Sequence, residues 1–224
     1  MKEKIVKLQL ALFYKQPDFR PDSSYSDINK EMGNLFNAMP QVMNLPNNVP
    51  LDIPRVQMRD ELNKYACNMA PIRTDFFINE NHDSEENWPE IVKDFKAKSS
   101  LFIKSVLSRH EIVRFGLIGN FFIPDKSSSH TMTKKFLKID LQNAEEINLR
   151  FNNRSSSHGY NLNNITSINT AFAGTSTGDE KGIFIELDVN NVPDEKTMDQ
   201  ASLNNLIDKI IPTFSPDQVK GLVK

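Results

Sequence analysis

One cysteine, Cys67, stands in 224 residues. No disulfide can form within a single chain, and a tetrahedral site built from several cysteines is excluded with it. Cysteine usage therefore gives no sign of an oxidising compartment. Long apolar runs are missing too, and none reaches the ~18 residues of a membrane span. The run Ile5–Tyr14 is broken by Lys7 and Gln9, and Lys15-Gln16-Pro17-Asp18 follows where a signal peptide would place small residues. A cytoplasmic protein is the expectation. Neither sign of charge dominates, with 27 Lys and Arg against 29 Asp and Glu and a net charge of -2. That removes a strong electrostatic case for a nucleic-acid or membrane partner, though not a local basic face. Apolar residues reach only 38%, but a chain of this length still buries a core. No Gly/Ser-rich or Pro-rich linker divides it. One domain over residues 1–224 is expected, with 1–124 and 125–224 as a possible subdivision.

The motifs of common chemistries are absent as well. Gly174-Thr175-Ser176-Thr177-Gly178 is followed by Asp179-Glu180-Lys181-Gly182. A phosphate-binding loop needs four residues between its glycines and then Lys with Ser or Thr, and two acids would repel the phosphate. The stretch reads as a hairpin loop. His82, His110, His130 and His158 show no metal-ligand spacing, and no Gly-x-Ser-x-Gly elbow exists. No cofactor, metal or catalytic residue is assigned on these grounds. Cys67 reads as a small core residue. The repeated strings Ser127-Ser128-Ser129-His130 and Ser155-Ser156-Ser157-His158 read as two loops.

What is present is periodicity. Leu8, Leu10, Leu12 and Tyr14 alternate as in a strand. Ile28, Met32, Leu35, Phe36 and Met39 predict a helix that Pro40 stops. Gln41–Pro54 is a Pro/Asn-rich connection. Arg55–Asp60 predicts a short strand, and Lys64–Asn79 a long one with a bulge or edge position at Pro71. The strongest helix signal runs from Trp88 to Ser108, where Trp88, Ile91, Val92, Phe95, Phe102, Ile103 and Val106 form one stripe, Asn87 caps and Pro89 fits the first turn. Ile112–Ile123 predicts a strand. This β-α-β-β-α-β order is that of the ferredoxin-like sandwich. The second half predicts a short helix over Thr131–Ile139 and strands over Glu146–Ser155, Asn161–Gly174 and Gly182–Asn190. A closing helix carries Ala201, Leu203, Leu206, Ile207 and Ile210. The class is α+β with a mostly antiparallel sheet, a ferredoxin-like first half, then a β-meander and a C-terminal helix.

Two strings carry a resemblance. The strand Arg114-Phe115-Gly116-Leu117 follows a long amphipathic helix, and Phe184-Ile185-Glu186-Leu187-Asp188-Val189 precedes a helix and Pro212-Thr213-Phe214. Together they resemble a sporadically distributed prokaryotic family of conserved hypothetical proteins of about this length. Where that family's strand usually continues Arg-Tyr-Ile-Asn, this one continues Ile118-Gly119-Asn120. The resemblance implies a shared α+β fold and no activity.

Glu186 and Asp188 share a strand face, a pattern that serves acid/base work, divalent metal binding or ion pairing to Arg114, Arg150 or Arg154. Arg114, Asp188 and Glu186 are the candidate binding residues, with a bidentate Arg114–Asp188 pair as the sharpest form of that expectation. The leading functional reading is a non-enzymatic binding or assembly protein that pairs with a protein partner, or with itself, through a sheet edge or face. The alternative is a nucleic-acid-binding module, with Arg55, Arg59 and Arg73 as phosphate contacts beside Phe76 and Phe77.

Overall fold

A computed structural model describes residues 4–46, 48–80, 87–137, 141, 144–175 and 178–223. In chain order these residues form β1 (Lys4–Tyr14), α1 (Tyr25–Glu31), β2 (Gln41–Val42), β3 (Val56–Arg59), β4 (Tyr65–Ala70), β5 (Arg73–Asn79), α2 (Trp88–Leu107) and β6 (Ile112–Pro124). There follow α3 (Ser128–Met132), β7 (Asn148–Ser157), β8 (Tyr160–Thr175), β9 (Gly178–Asn191), α4 (Gln200–Ile210) and α5 (Pro216–Val223). The strands make one nine-stranded sheet in the order β2-β3-β4-β5-β1-β6-β9-β8-β7, antiparallel throughout. The chain is thus α+β, and the meander of the second half extends the first sheet through β9 beside β6. No described helix is long and apolar enough to cross a membrane.

α2 forms where its stripe and caps predict. The Asn87 side chain accepts from the Glu90 N–H at 3.1 Å, and the Glu90 carboxylate accepts from the Asn87 N–H at 3.4 Å, a reciprocal cap. Ile91, Phe95, Phe102, Ile103 and Val106 are buried. Phe95 and Phe102 meet Phe76 of β5, with ring centroids 6.2 and 5.6 Å apart. Leu8, Leu10, Leu12 and Tyr14 of β1 point to the same side. Cys67 sits there fully buried, and burial pushes its thiol well above the ordinary value. Gly119 lets Phe214 lie against β6, since a Cβ there would stand 2.7 Å from that ring.

Three expectations are corrected. Lys64–Asn79 is not one bulged strand but a hairpin, β4 and β5, with Ala70 opposite Arg73 across Pro71-Ile72. Proline presets the φ that the first corner of a turn needs, so Pro71 ends the strand instead of bending it. Arg55–Asp60 does pair with its first half as expected, Val56 opposite Met69. The first helix stops at Glu31, because Gly33 and Asn34 take φ of 75° and 55°. Phe36 is still buried, held by the Asn29 side chain, which donates to its carbonyl and accepts from its N–H, both at 3.0 Å. Met39, expected on the helix stripe, is 90% exposed. Finally, the loops of the meander are shorter than expected. His158 and Gly159, with φ of 51° and 79°, make a two-residue turn between β7 and β8. β8 and β9 run to Thr175 and from Gly178; Ser176 and Thr177 lie outside the described residues. The short helix near Thr131 is α3 followed by one π turn over Thr133–Leu137, and its expected end at Ile139 also lies outside them.

Candidate functional site

Side chains alternate across a strand, so the sheet sorts them into two faces. The helices bury Leu8, Leu10, Leu12, Thr74, Phe76, Ile78, Phe115, Leu117, Ile183 and Ile185. The opposite face carries a polar set. In register, Phe13 of β1 stands between Arg73 of β5 and Arg114 of β6. The two guanidinium carbons lie 5.6 and 4.9 Å from the centre of the Phe13 ring. The next row on this face reads Gln57, Asn68, Asp75, Ala11, Gly116, Asn190, Asn163 and Arg154 from β3 to β7.

Asp75 is only 2% exposed. Its Oδ1 accepts from Gln9 Nε2 at 3.1 Å, and its Oδ2 lies 3.2 Å from Arg73 Nε. That second contact is close enough for an ion pair but not aligned for a hydrogen bond, so Arg73 Nε stays buried without a hydrogen-bond partner. Burial pushes the Asp75 carboxyl above the usual range, against the pull of Arg73 and Gln9. Among the described residues Arg114 meets no carboxylate. Its Nη2 donates to Asn190 Oδ1 at 3.2 Å, and its Nε is buried with no hydrogen-bond partner. Asn190 Nδ2 in turn donates to Asp188 Oδ1 at 2.9 Å, and Asn163 Nδ2 donates to Asn190 Oδ1 at 3.0 Å.

Arg114 and Asp188 are therefore on neighbouring strands, as the expected pair requires, but they do not form it. Asn190 stands between them and relays the contact through its amide. Glu186 shares the face one row further on, opposite Asn120 and Ser167, and takes no part in the relay. Among the described residues no group of three His, Cys, Asp or Glu side chains is placed to hold a metal ion. His82 lies outside those residues. His110 stacks on Tyr14 at 4.0 Å between centroids, its Nε2 3.7 Å from Asp18 Oδ2. Burial lowers the His110 pKa below 6.5, Asp18 opposing it. Tyr14 hydrogen-bonds Thr74, and burial raises its phenol above the ordinary value.

Arg55, Arg59 and Arg73 do not gather. Arg55 donates to the Leu45 carbonyl at 3.1 Å and fastens the long connection before β3. Arg59 lies opposite Ala66 and Arg73 opposite Ala70, four residues along the strands, which is about 13 Å at ~3.3 Å per residue. Phe76 is in the core, and Phe77 lies on the polar face under Lys7 Nζ, 5.4 Å from its centroid. Sequence reasoning missed Phe13 and Asn190. Parity within β1 and β9 places both on the polar face, but only the strand order shows that β5, β1, β6 and β9 are neighbours.

The sheet's margin is the second feature. β7 pairs with β8 and, among the described residues, with no other strand. Of its ten residues, eight are exposed, Leu149 is half-buried and Ser157 is buried. Hydrogen-bonded and non-bonded pairs alternate from a tight turn, starting with Ser157–Tyr160. Odd-numbered residues of β7 thus bond inward to β8, in agreement with the Thr170 N–H donating to the Ile147 carbonyl at 3.0 Å. The N–H and C=O groups of Asn148, Arg150, Asn152, Arg154 and Ser156 point outward. A cleft of about 600 Å³ between α1 and β3 has Tyr25, Asn29, Asn34, Phe36, Asn37 and Met58 among its lining residues.

No protein-family model matches the chain, and no match is found among curated proteins.

Proposed function

We propose that the chain is a non-enzymatic assembly protein that binds a partner strand along β7, the partner being a second copy of itself. The observation that carries this is the outer row of β7. Ten residues of regular strand, free of proline and lysine and largely exposed, offer a line of backbone donors and acceptors. Soluble proteins blunt such an edge unless it is used. Antiparallel addition of a second β7 satisfies that line and preserves the two faces of the sheet. Charge selects the register. Centred on Asn152, the pairing sets Arg150 against Arg154 of the second copy, two like charges. Centred on Phe151, it sets Arg150 against Asn152 and the 39%-exposed Phe151 against its own copy.

Sedimentation of the purified chain tests this reading directly. A dimer is expected at micromolar concentration. Asn152→Pro removes one outward N–H and leaves the inward bonds to β8, so it should give a folded monomer. A wild-type chain that stays monomeric at high concentration ends the proposal.

The order β4-β5-β1-β6, with α1 and α2 between strands, supports a ferredoxin-like unit at the centre of the first half, with β2 and β3 as additions. Membership of the prokaryotic hypothetical family rests on the Arg114 and Asp188 strings, now seen to lie on the adjacent strands β6 and β9. The nucleic-acid alternative gains no support from its named arginines, which lie apart.

A further inference from the structure

We propose that Arg73 and Arg114 form a binding site for a small oxyanion of the phosphate class, a phosphoryl group carried by a free small molecule. The starting point is convergence. Two guanidiniums from different strands are placed in register with one residue, Phe13, and both lie over its ring. Like charges in one row repel, and a sheet built only for stability would alternate them with carboxylates.

Charge compensation around the two guanidiniums is incomplete. Arg73 has Asp75 at 3.2 Å, but Arg114 has only amide oxygen, because Asn190 keeps Asp188 away from it. The row therefore carries more positive than negative charge. In addition, Nε of Arg73 and Nε of Arg114 are both buried without a hydrogen-bond partner. Arg73 Nε has the misaligned Asp75 carboxylate beside it, but Arg114 Nε has no acceptor, and a buried donor left so costs free energy that an oxyanion can recover. Two planar forks and two positive charges match a dianion with several equivalent oxygens better than a single carboxylate. Phe13 already holds two cations, so it is not a free stacking surface for a nucleobase. The site lies where β1 ends and β5 and β6 begin, two strands from β8 and three from β7, and does not depend on what β7 binds.

The test titrates inorganic phosphate into the purified chain by calorimetry and by ³¹P NMR at constant ionic strength, with acetate as the carboxylate arm. Saturable binding of one phosphate per chain is expected, with acetate weaker by at least about tenfold, since it brings one charge instead of two. Arg114→Gln and Arg73→Gln should each weaken phosphate about tenfold or more, and Arg114→Lys should fall between, keeping the charge but losing the fork. Arg59→Gln, an exposed arginine on β3, should leave it unchanged. Should Arg114→Gln fail to fold, Arg114→Lys and Arg73→Gln carry the comparison. A sugar phosphate that binds more tightly than inorganic phosphate supports the small-molecule ester. Binding that does not saturate, that survives both glutamine variants, or that falls equally in Arg59→Gln overturns the site. So does a short single-stranded oligonucleotide that binds more tightly than either phosphate.

Discussion

The sheet ends in β2 on one side and in β7 on the other, and the two ends are built differently. β2 is two residues long and lies in a connection containing Pro40, Pro46, Pro50 and Pro54. β7 is ten residues long and extended to its turn. A two-residue edge cannot template another chain, whereas a ten-residue edge can. Both ends belong to one sheet, so the contrast is not one between folded and unfolded parts. It sets the buried aromatic packing under α2 against an exposed edge at β7.

The largest effects should therefore fall near α2. Phe95→Ala removes a fully buried ring that meets Phe76 and should cost about 3–5 kcal/mol in chemical denaturation. Phe151→Ala on β7 should stay within about 0.5 kcal/mol for the monomer. Equal losses at the two positions would erase the contrast.

Between these extremes lies the amide relay. Asn190 is 2% exposed and touches Arg114, Asn163 and Asp188. Asn190→Ala leaves those groups without it and should cost about 1–3 kcal/mol. The same experiment with Asn152→Ala, exposed on β7 and bonded to Asn163, should cost far less.

A smaller effect is the pH dependence from His110. Its folded pKa is depressed below 6.5 by burial against Tyr14. The unfolded chain then takes up the proton more readily, so this contribution is present above pH 6.5 and is lost as pH falls through 6.5 toward the depressed value. Unfolding followed from about pH 7.5 to about pH 5.5 should show stability falling, and His110→Phe, which keeps the stack, should flatten the slope. Lower still, Glu31, held at about 2 by Arg109, loses its contribution as pH falls from 4.5. That exposed link is screened by solvent and should read as a weak second slope.

Much of this architecture was legible in periodicity. The stripe from Trp88 to Val106 and the cap at Asn87 define α2, and alternation marks β1, β6 and the meander. The hairpin at Pro71 was misread because the same residue suits a bulge and a turn, and local pattern does not distinguish them. The site was half legible. Arg114 and Asp188 were singled out, yet their link through Asn190 depends on β6 lying beside β9, a long-range pairing that no local signal encodes. Phe13 was read only as a member of an apolar strand, since a phenyl ring on a polar face looks like core until the neighbouring arginines are placed. The exposed edge of β7 follows from strand order alone.

Sedimentation equilibrium of the wild-type chain beside Asn152→Pro decides whether β7 is an assembly edge. A reversible dimer is expected for the wild type and a folded monomer for the variant, with the far-ultraviolet spectrum and the stability of the α2 side unchanged. A wild-type monomer, or a dimer that persists unaltered in Asn152→Pro, would contradict it.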